Sequence, residues 1–170
     1  VLHHCQRPVE CVLEPSAGTG VMAQDAPSEA HLTMVELDPY SARVSRHLFQ
    51  GRRLSLHNES LERYLRSNPA RRFDLVIGNP PFGPRGEDSL LDDEGAEREA
   101  SRYFLLRALE RLHPGGLLAM ILPAAGLTSE RATAHDGEWR STSPTWCTTP
   151  ARCTAAAMAL VGVLVMPWSR

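Results

Sequence analysis

The chain has 170 residues, of which 42% are hydrophobic and 22% charged, and its formal net charge at pH 7 is -2. This length and composition are typical of one soluble globular domain that can bury a substantial core. The charge excludes a strong positive field over the whole molecule, so any binding of nucleic acid would depend on local groups.

The sequence predicts neither a disulfide framework nor a metal site. The four cysteines form no C-x-x-C pair, and His3, His4 and Cys5 have no second pair of ligands at a suitable spacing. The longest apolar run, residues 155–166, is shorter than the roughly 20 residues that span a bilayer. Since no basic-then-apolar leader opens the chain, we expect a cytoplasmic protein without a membrane segment. Two of the cysteines lie late in the chain, without a recognisable base nearby in sequence: Cys147 and Cys153.

Strands and helices are predicted to alternate between residue 9 and about residue 127. Apolar runs bounded by Gly, Pro and Asn indicate strands, and apolar residues three and four apart indicate helices. This alternation predicts a doubly wound, mostly parallel α/β sheet, in which ligands bind at the carboxyl ends of the strands. The predicted strands are 9–13, 31–37, 54–56, 73–77 and 117–122; the predicted helices are a short one from about 21, then 39–49, 61–66 and 96–112, the last of them ended by 113–116.

Residues 128–170 form a second region, predicted as a tail of uncertain structure after a core of residues 1–127. The stretch from 128 to 154 is rich in Ser, Thr, Ala, Pro and Arg, and it lacks periodicity. The apolar residues 155–166 leave three alternatives open, a late strand, a late helix or disorder.

The first chemistry-bearing segment runs from Glu14 to Gly20, between a predicted strand and a predicted helix. Its glycines permit tight turning and close approach of a ligand to the backbone, and a strand-end carboxylate can accept hydrogen bonds from an ammonium or hydroxyl group. The pattern Gly18-x-Gly20-x-x-Ala23 also fits a dinucleotide fingerprint, which makes a dehydrogenase the rival. Three residues separate the strand from its first glycine, which favours a ligand without phosphates.

The second segment follows the second strand. Glu36 is an acceptor-only group that can take both hydroxyls of a ribose. Asp38 precedes Pro39 at the start of a predicted helix, and we interpret it as an N-cap rather than a ligand.

The third segment, Asn79-Pro80-Pro81-Phe82, follows the fourth strand. The prolines carry no N–H and stiffen the corner, so it presents mainly acceptors. The Asn79 side-chain oxygen and the Pro80 carbonyl can receive both hydrogens of one amine. Holding those hydrogens directs the nitrogen lone pair toward a methyl donor, and Phe82 can stack on a base rotated out of a duplex.

In this order and spacing, the three segments resemble class I S-adenosylmethionine (SAM)-dependent methyltransferases, and most of all the adenine-specific N6 DNA methylases. The resemblance covers about residues 9–127. It implies a Rossmann-like SAM-dependent methyltransferase fold and SAM as cofactor, with no metal, and it implies that the acid after the third strand contacts the adenine amine of SAM. Glu59 matches that role, and Asn58 is the fallback. The implied catalytic residues are Asn79, Pro80, Pro81 and Phe82; the implied cofactor-binding residues are Glu14, Pro15, Ser16, Ala17, Gly18, Gly20, Glu36, Glu59 and Asn79.

The resemblance also defines what remains open. The expected reaction is methyl transfer to adenine N6 in DNA; RNA (adenine N6 or guanine N2) and protein glutamine are alternative substrates, and a non-catalytic, truncated SAM-fold module is an alternative of another class. The family has a helical segment before the first strand, and it has later strands and a target-recognition region. We therefore expect a fold incomplete at both ends, whose target recognition needs a region or subunit absent from this chain. The acidic residues between 83 and 99 are interpreted as a solvated excursion.

Overall fold

The computed structural model describes residues 7–85, 99–123 and 159–165, the last range as backbone only. Its strands form one sheet in the order β3-β2-β1-β4-β5-β6. All neighbouring strands are parallel except β5 and β6, which are antiparallel. The predicted doubly wound, mostly parallel α/β sheet is therefore confirmed. The strands are β1 (Cys11–Glu14), β2 (His31–Val35), β3 (Leu54–His57), β4 (Phe73–Gly78), β5 (Leu112–Pro123) and β6 (Ala159–Val165); the helices are α1 (Pro39–Leu48), α2 (Leu61–Ser67) and α3 (Ala100–Glu110).

Helices cover both faces of the sheet, because alternate strand residues point to opposite sides. On one face, Val12 and Leu75 pack with Phe49, which follows α1. On the other, Leu13 and Val76 pack with residues of α2 and α3. Both faces of β4 are buried along its whole length. This burial fixes the register of the strands and therefore the positions of the loops that leave their carboxyl ends.

The sixth strand comes from the region predicted as a tail of uncertain structure. Residues 159–165 pair along β5, from Leu117 opposite Val165 to Pro123 opposite Ala159. Of the alternatives left open for the apolar run at 155–166, the backbone adopts the strand. Residues 124–158 lie outside the described part, so the proposed division at residue 127 stays a prediction.

Three element boundaries differ from the prediction. The short helix expected from about residue 21 is one 3₁₀ turn, Met22–Asp25, because Ala26 is extended ahead of Pro27. The helix expected over 96–112 begins at Ala100, where the side chain of Glu99 accepts hydrogen bonds from the first-turn N–H groups.

The third difference concerns the four residues expected to end that helix. They lie within β5, between the pair Phe73–Leu112 and the pair Leu75–Leu117. Gly115 has φ +76°, a conformation that favours glycine, so the chain bulges there and resumes its pairing. Residues 113–116, which were predicted to end a helix, therefore form an irregularity inside a strand.

Candidate active site

The predicted site segments meet at one edge of the sheet. Strands β1, β2, β3 and β4 are parallel neighbours, so their carboxyl ends lie side by side. A Cβ built on Gly78 would lie 3.5 Å from Cδ of Pro15, which places the start of the Asn79 corner against the Gly-containing loop. The fold thus brings together segments that are more than sixty residues apart in the chain.

The loop after β1 is held on both sides of a single glycine. The Gly18 N–H donates to Oε2 of Glu36 at 2.6 Å, and its carbonyl accepts from Oγ of Ser45 at 2.7 Å. The Ala17 N–H also donates to the carbonyl of Val35 at 3.0 Å. These bonds link the loop to β2 and to α1 and thereby restrain its shape.

The two glycines of this loop serve different purposes. Gly18 has φ +54°, and a Cβ built on it would meet no atom of the described chain within 4 Å, so this position faces open space. At Gly20, with φ +84°, the same Cβ would lie 2.4 Å from Phe49 and 2.7 Å from Met34. Gly20 therefore allows the turn and makes room for the core, whereas Gly18 leaves room for a ligand.

Glu14 is the carboxyl group buried at the end of β1, with 2% of its surface exposed. Burial raises its pKa to about 8, the negative charge of Glu36 adds to the rise, and the backbone N–H groups of Met22 and Ala23 oppose it. Among the described residues, Oε2 of Glu14 has no hydrogen-bond partner. A buried carboxyl oxygen without a partner is a position where a polar group of a ligand would be stabilised.

Both carboxylate oxygens of Glu36 accept backbone hydrogen bonds, one from Gly18 and one from the Asp38 N–H at 2.7 Å. Each oxygen retains a lone pair, and the residue is only partly buried. Asp38 caps α1: its carboxylate accepts from the Ser41 N–H at 2.8 Å and from Ser41 Oγ at 2.7 Å. The interpretation of Asp38 as a cap is thus confirmed.

After β3, the two candidates for the adenine amine have different surroundings. The Asn58 amide donates to the carbonyls of Glu36 and Leu37 at 2.8 and 3.0 Å, so it is engaged in joining two loops. Glu59 is partly exposed, with Oε1 3.5 Å from Nδ1 of His57. Of the two, Glu59 has the carboxylate lone pairs that an amine requires, and its assignment stays a prediction.

At the end of β4, the corner has one buried position among exposed ones. Pro80 is buried, whereas Asn79 and Pro81 are exposed and Phe82 has 51% of its surface exposed. The buried proline anchors the corner, and its neighbours present an amide and an aromatic ring outward. This arrangement provides acceptors and an exposed aromatic surface close to the start of the Gly-containing loop after β1.

Ser45 is a site residue that the sequence analysis missed. It is fully buried on α1 with Ala42, on the side of the helix that turns toward Phe49. Spacings of three and four residues place Ala42, Ser45 and Phe49 on one face. A hydroxyl on an otherwise apolar helical face was the available signal, because a buried hydroxyl needs a partner.

The sequence predicts neither a metal site nor a membrane segment, and the structure bears on both only in the part of the chain that it describes. That part contains no group of three or more His, Cys, Asp or Glu residues able to hold a metal ion. It also contains no helix that is long and apolar enough to cross a membrane. The remaining candidates lie outside the described residues: His3, His4, Cys5, Cys147 and Cys153.

Comparison with known proteins places the chain in one family. Residues 32–139 match the family of the Eco57I restriction-modification methylase. The chain is 37% identical over 112 residues to defense against restriction protein B of Escherichia phage P1, a match that covers 65% of the chain and 5% of that protein. It is 30% identical over 123 residues to a tRNA1(Val) (adenine(37)-N6)-methyltransferase of Shewanella baltica, covering 66% of the chain and 52% of that enzyme.

A solved structure has the same fold. A Listeria monocytogenes protein assigned to the class I S-adenosylmethionine-dependent methyltransferases superposes with a TM-score of 0.69 at 18% identity, over 98% of this chain and 56% of that one. The chain thus spans about half the length of the tRNA enzyme and of the Listeria protein, and a small part of the phage protein.

Proposed function

Because the chain belongs to the Eco57I restriction-modification methylase family, we propose that it transfers a methyl group from SAM to an exocyclic amine, adenine N6 in DNA. One observation supports the proposal: a Cβ built on Gly78 would lie 3.5 Å from Cδ of Pro15, so the acceptor-rich corner at Asn79 begins close to the Gly-containing loop. An amine held at the corner would lie beside a cofactor held in the loop. Reaction between two bound groups depends on such proximity.

The residues of the loop fit SAM. Glu14 offers a buried carboxyl oxygen that lacks a partner in the described chain, and we assign it to the methionine part of SAM. Open space at Gly18 admits the ligand close to the backbone, and Glu36 retains lone pairs for the two ribose hydroxyls. Glu59 is assigned to the adenine amine. When bound, SAM supplies an electrophilic methyl group on a positively charged sulfur.

The corner's task is to orient the amine. Asn79 Oδ1 and the Pro80 carbonyl accept its two hydrogens, and this holds the nitrogen lone pair out of the ring plane, toward the loop. Neither acceptor is a strong base, so the proton that the nitrogen releases passes to solvent water. The exposed ring of Phe82 stacks on the base and excludes water from one side. Rate acceleration then comes from orientation and charge placement rather than from general base catalysis.

DNA is the proposed substrate because the family is that of a restriction-modification methylase. Adenine in RNA is the second candidate, because the Shewanella relative acts on a tRNA adenine. The 2′-hydroxyl is the group by which a protein separates these two substrates. We further propose that a region or subunit outside this chain recognises the target sequence, and that the protein works in the cytoplasm.

The test begins with calorimetric titration of SAM into the chain, followed by transfer of tritiated methyl groups to single-stranded DNA, tRNA and a protein substrate. We expect SAM binding, and label in DNA at adenine N6. Label in tRNA alone would identify RNA rather than DNA as the substrate. Label in protein alone would refute adenine as the methyl acceptor. A chain that neither binds SAM nor transfers methyl groups would be a non-catalytic module.

Two substitutions separate the proposed roles. Asn79→Ala should abolish transfer and leave the SAM dissociation constant nearly unchanged, because it removes an amine acceptor. Glu36→Ala should chiefly weaken SAM binding, because it removes the ribose acceptor and the bond to Gly18. The exposed amide Gln50→Ala and the exposed carboxylate Glu29→Ala are matched controls. Equal loss of SAM binding in both site variants would contradict this division.

A further inference from the structure

Arg85 is a buried cation three residues after Phe82. Its side chain has 2% of its surface exposed, and its Nη2 lies 2.8 Å from Oε1 of Glu62, whose side chain is 5% exposed. The guanidinium also stands over the ring of Tyr103, 3.7 Å from the ring centre. A charged pair rarely lies in a protein interior, because removing each ion from water costs several kcal/mol, roughly, before their attraction is counted.

The three partners belong to different parts of the site. Arg85 ends the described segment that begins with the corner at Asn79. Glu62 lies on the first turn of α2, three residues after Glu59, and Tyr103 lies on α3. The backbone is held nearby as well: the Ala100 N–H donates to the Gly83 carbonyl at 2.8 Å. The segment after the corner is therefore fastened to both helices on that face of the sheet.

We propose that three residues position the corner at Asn79 relative to the loop after β3. They are Arg85, Glu62 and Tyr103, and we call them the loop tie. The inference rests on the proposed function, since it assigns Arg85 a positioning role for that reaction. Arg85 is buried, and in this role it acts through the corner rather than on the substrate. Pro80 anchors the start of the segment, and the loop tie fixes its end, so the exposed residues between them have a defined place.

The chemistry of arginine suits this role better than that of lysine. Its planar, always charged group can bond to a carboxylate edge and stack on an aromatic face at the same time, which fixes its orientation as well as its distance. An apolar residue would fill the same space without that directional restraint. A buried ion pair can often be replaced by apolar side chains without loss of stability, so its directional effect can be tested separately from folding.

The test uses the full chain with Arg85→Met and Glu62→Met combined, so that neither member of this ion pair is left facing the empty place of the other. Arg85→Lys is the second variant, which keeps the charge and loses the planar group. The control combines Arg107→Met with Glu110→Met, a pair at the same 2.8 Å whose side chains are 30% and 50% exposed. Arg107 also stands over the Tyr103 ring, at 5.5 Å. The control pair therefore has the same chemistry as the pair under test and differs from it in burial.

The first measurement is independent of transfer. The chain has four phenylalanines, and labelling them with 4-fluorophenylalanine gives fluorine resonances of which Phe82→Leu identifies one. We expect the Phe82 resonance to shift or broaden in the double Met variant and in Arg85→Lys, while those of buried Phe49 and Phe73 stay in place. An unchanged Phe82 resonance in both variants would overturn the proposal. This result holds whether or not the chain transfers methyl groups.

The second measurement is single-turnover transfer from tritiated SAM to an adenine-containing single-stranded DNA. We expect the double Met variant to lose about 10- to 100-fold in rate, since a misplacement near 1 Å has an effect of that order. Its SAM dissociation constant should stay within about twofold of the original, as for an interaction made only in the reacting complex. If the double Met variant at Arg85 and Glu62 had the same rate as the control at Arg107 and Glu110, the buried pair would have a merely structural role. Absence of transfer by the unmodified chain would refute the proposed function and leave the fluorine result to decide the loop tie.

Discussion

Glu14→Gln is expected to make the stability of the chain less sensitive to pH. In the folded chain the pKa of Glu14 is raised from 4.5 to about 8, first because burial removes its carboxylate from water. Between these two values the folded state keeps a proton that the unfolded state releases. The contribution of Glu14 to the free energy of unfolding is therefore fully present below pH 4.5, decreases as the pH rises, and reaches its lower limit above about pH 8.

The size of the effect follows from the same shift. Each pH unit inside this window changes the free energy of unfolding by up to about 1.4 kcal/mol, and by less near its two ends, so the loss between pH 5 and pH 8 is about 3–4 kcal/mol. Glutamine has nearly the same shape and no charge, so Glu14→Gln removes this loss. The stability of the variant relative to the original chain should rise by about that amount over the interval.

The assay is urea unfolding followed by circular dichroism at intervals from about pH 5 to pH 8.5. Taking the difference between variant and original chain cancels the contributions of groups that both share. Glu29→Gln, which changes an exposed carboxylate, is the control and should give a flat difference. A flat difference for Glu14→Gln as well would refute the reasoning, because it would mean that Glu14 ionises in the folded chain as easily as in the unfolded one.

Three further substitutions test the supports of the site. Gly20→Ala should lower the free energy of unfolding by about 1–3 kcal/mol in urea titrations, because the added Cβ meets Phe49 at 2.4 Å and φ is +84°. Ser45→Ala should remove about 1 kcal/mol and weaken SAM binding in calorimetry, since it deletes the bond to the Gly18 carbonyl; unchanged affinity would exclude a role in holding the loop. Asp38→Ala should lower the melting temperature by uncapping α1 and leave SAM affinity unchanged.

The order of strands and helices could be predicted from the sequence because it depends on neighbours along the chain. Apolar runs, the spacing of apolar residues and the stop signals of Gly and Pro gave the five parallel strands and the helices, apart from shifts at their ends. Asp38 was predicted as a cap by the same local chemistry, and the structure confirms it. The prediction that residues 113–116 end a helix was wrong, because a Pro-Gly-Gly run can end a helix and can also form a bulge within a strand.

The candidate site could be predicted only as three segments that follow parallel strands. Their position at the carboxyl edge is a rule of this class of sheet, so Glu14, Glu36 and Asn79 could be expected to lie near one another. The sequence did not show which atoms of those segments are already bonded. The bond from the Gly18 N–H to Glu36, the lack of room for a Cβ at Gly20 and the absence, among the described residues, of a partner for Glu14 Oε2 all depend on contacts across the fold.

By itself, then, the sequence determined the doubly wound sheet, the cap at Asp38 and the three segments that carry the proposed chemistry, since periodicity and turn chemistry act over a few residues. Tertiary structure alone decided that Ser45 holds the carbonyl of Gly18, 27 residues away, and that Arg85 is buried against Glu62, 23 residues away. Such pairs form when crossovers bring distant strands and helices together. Burial then decides their energy, because removing a polar or charged group from water is unfavourable unless a partner stands within hydrogen-bonding distance.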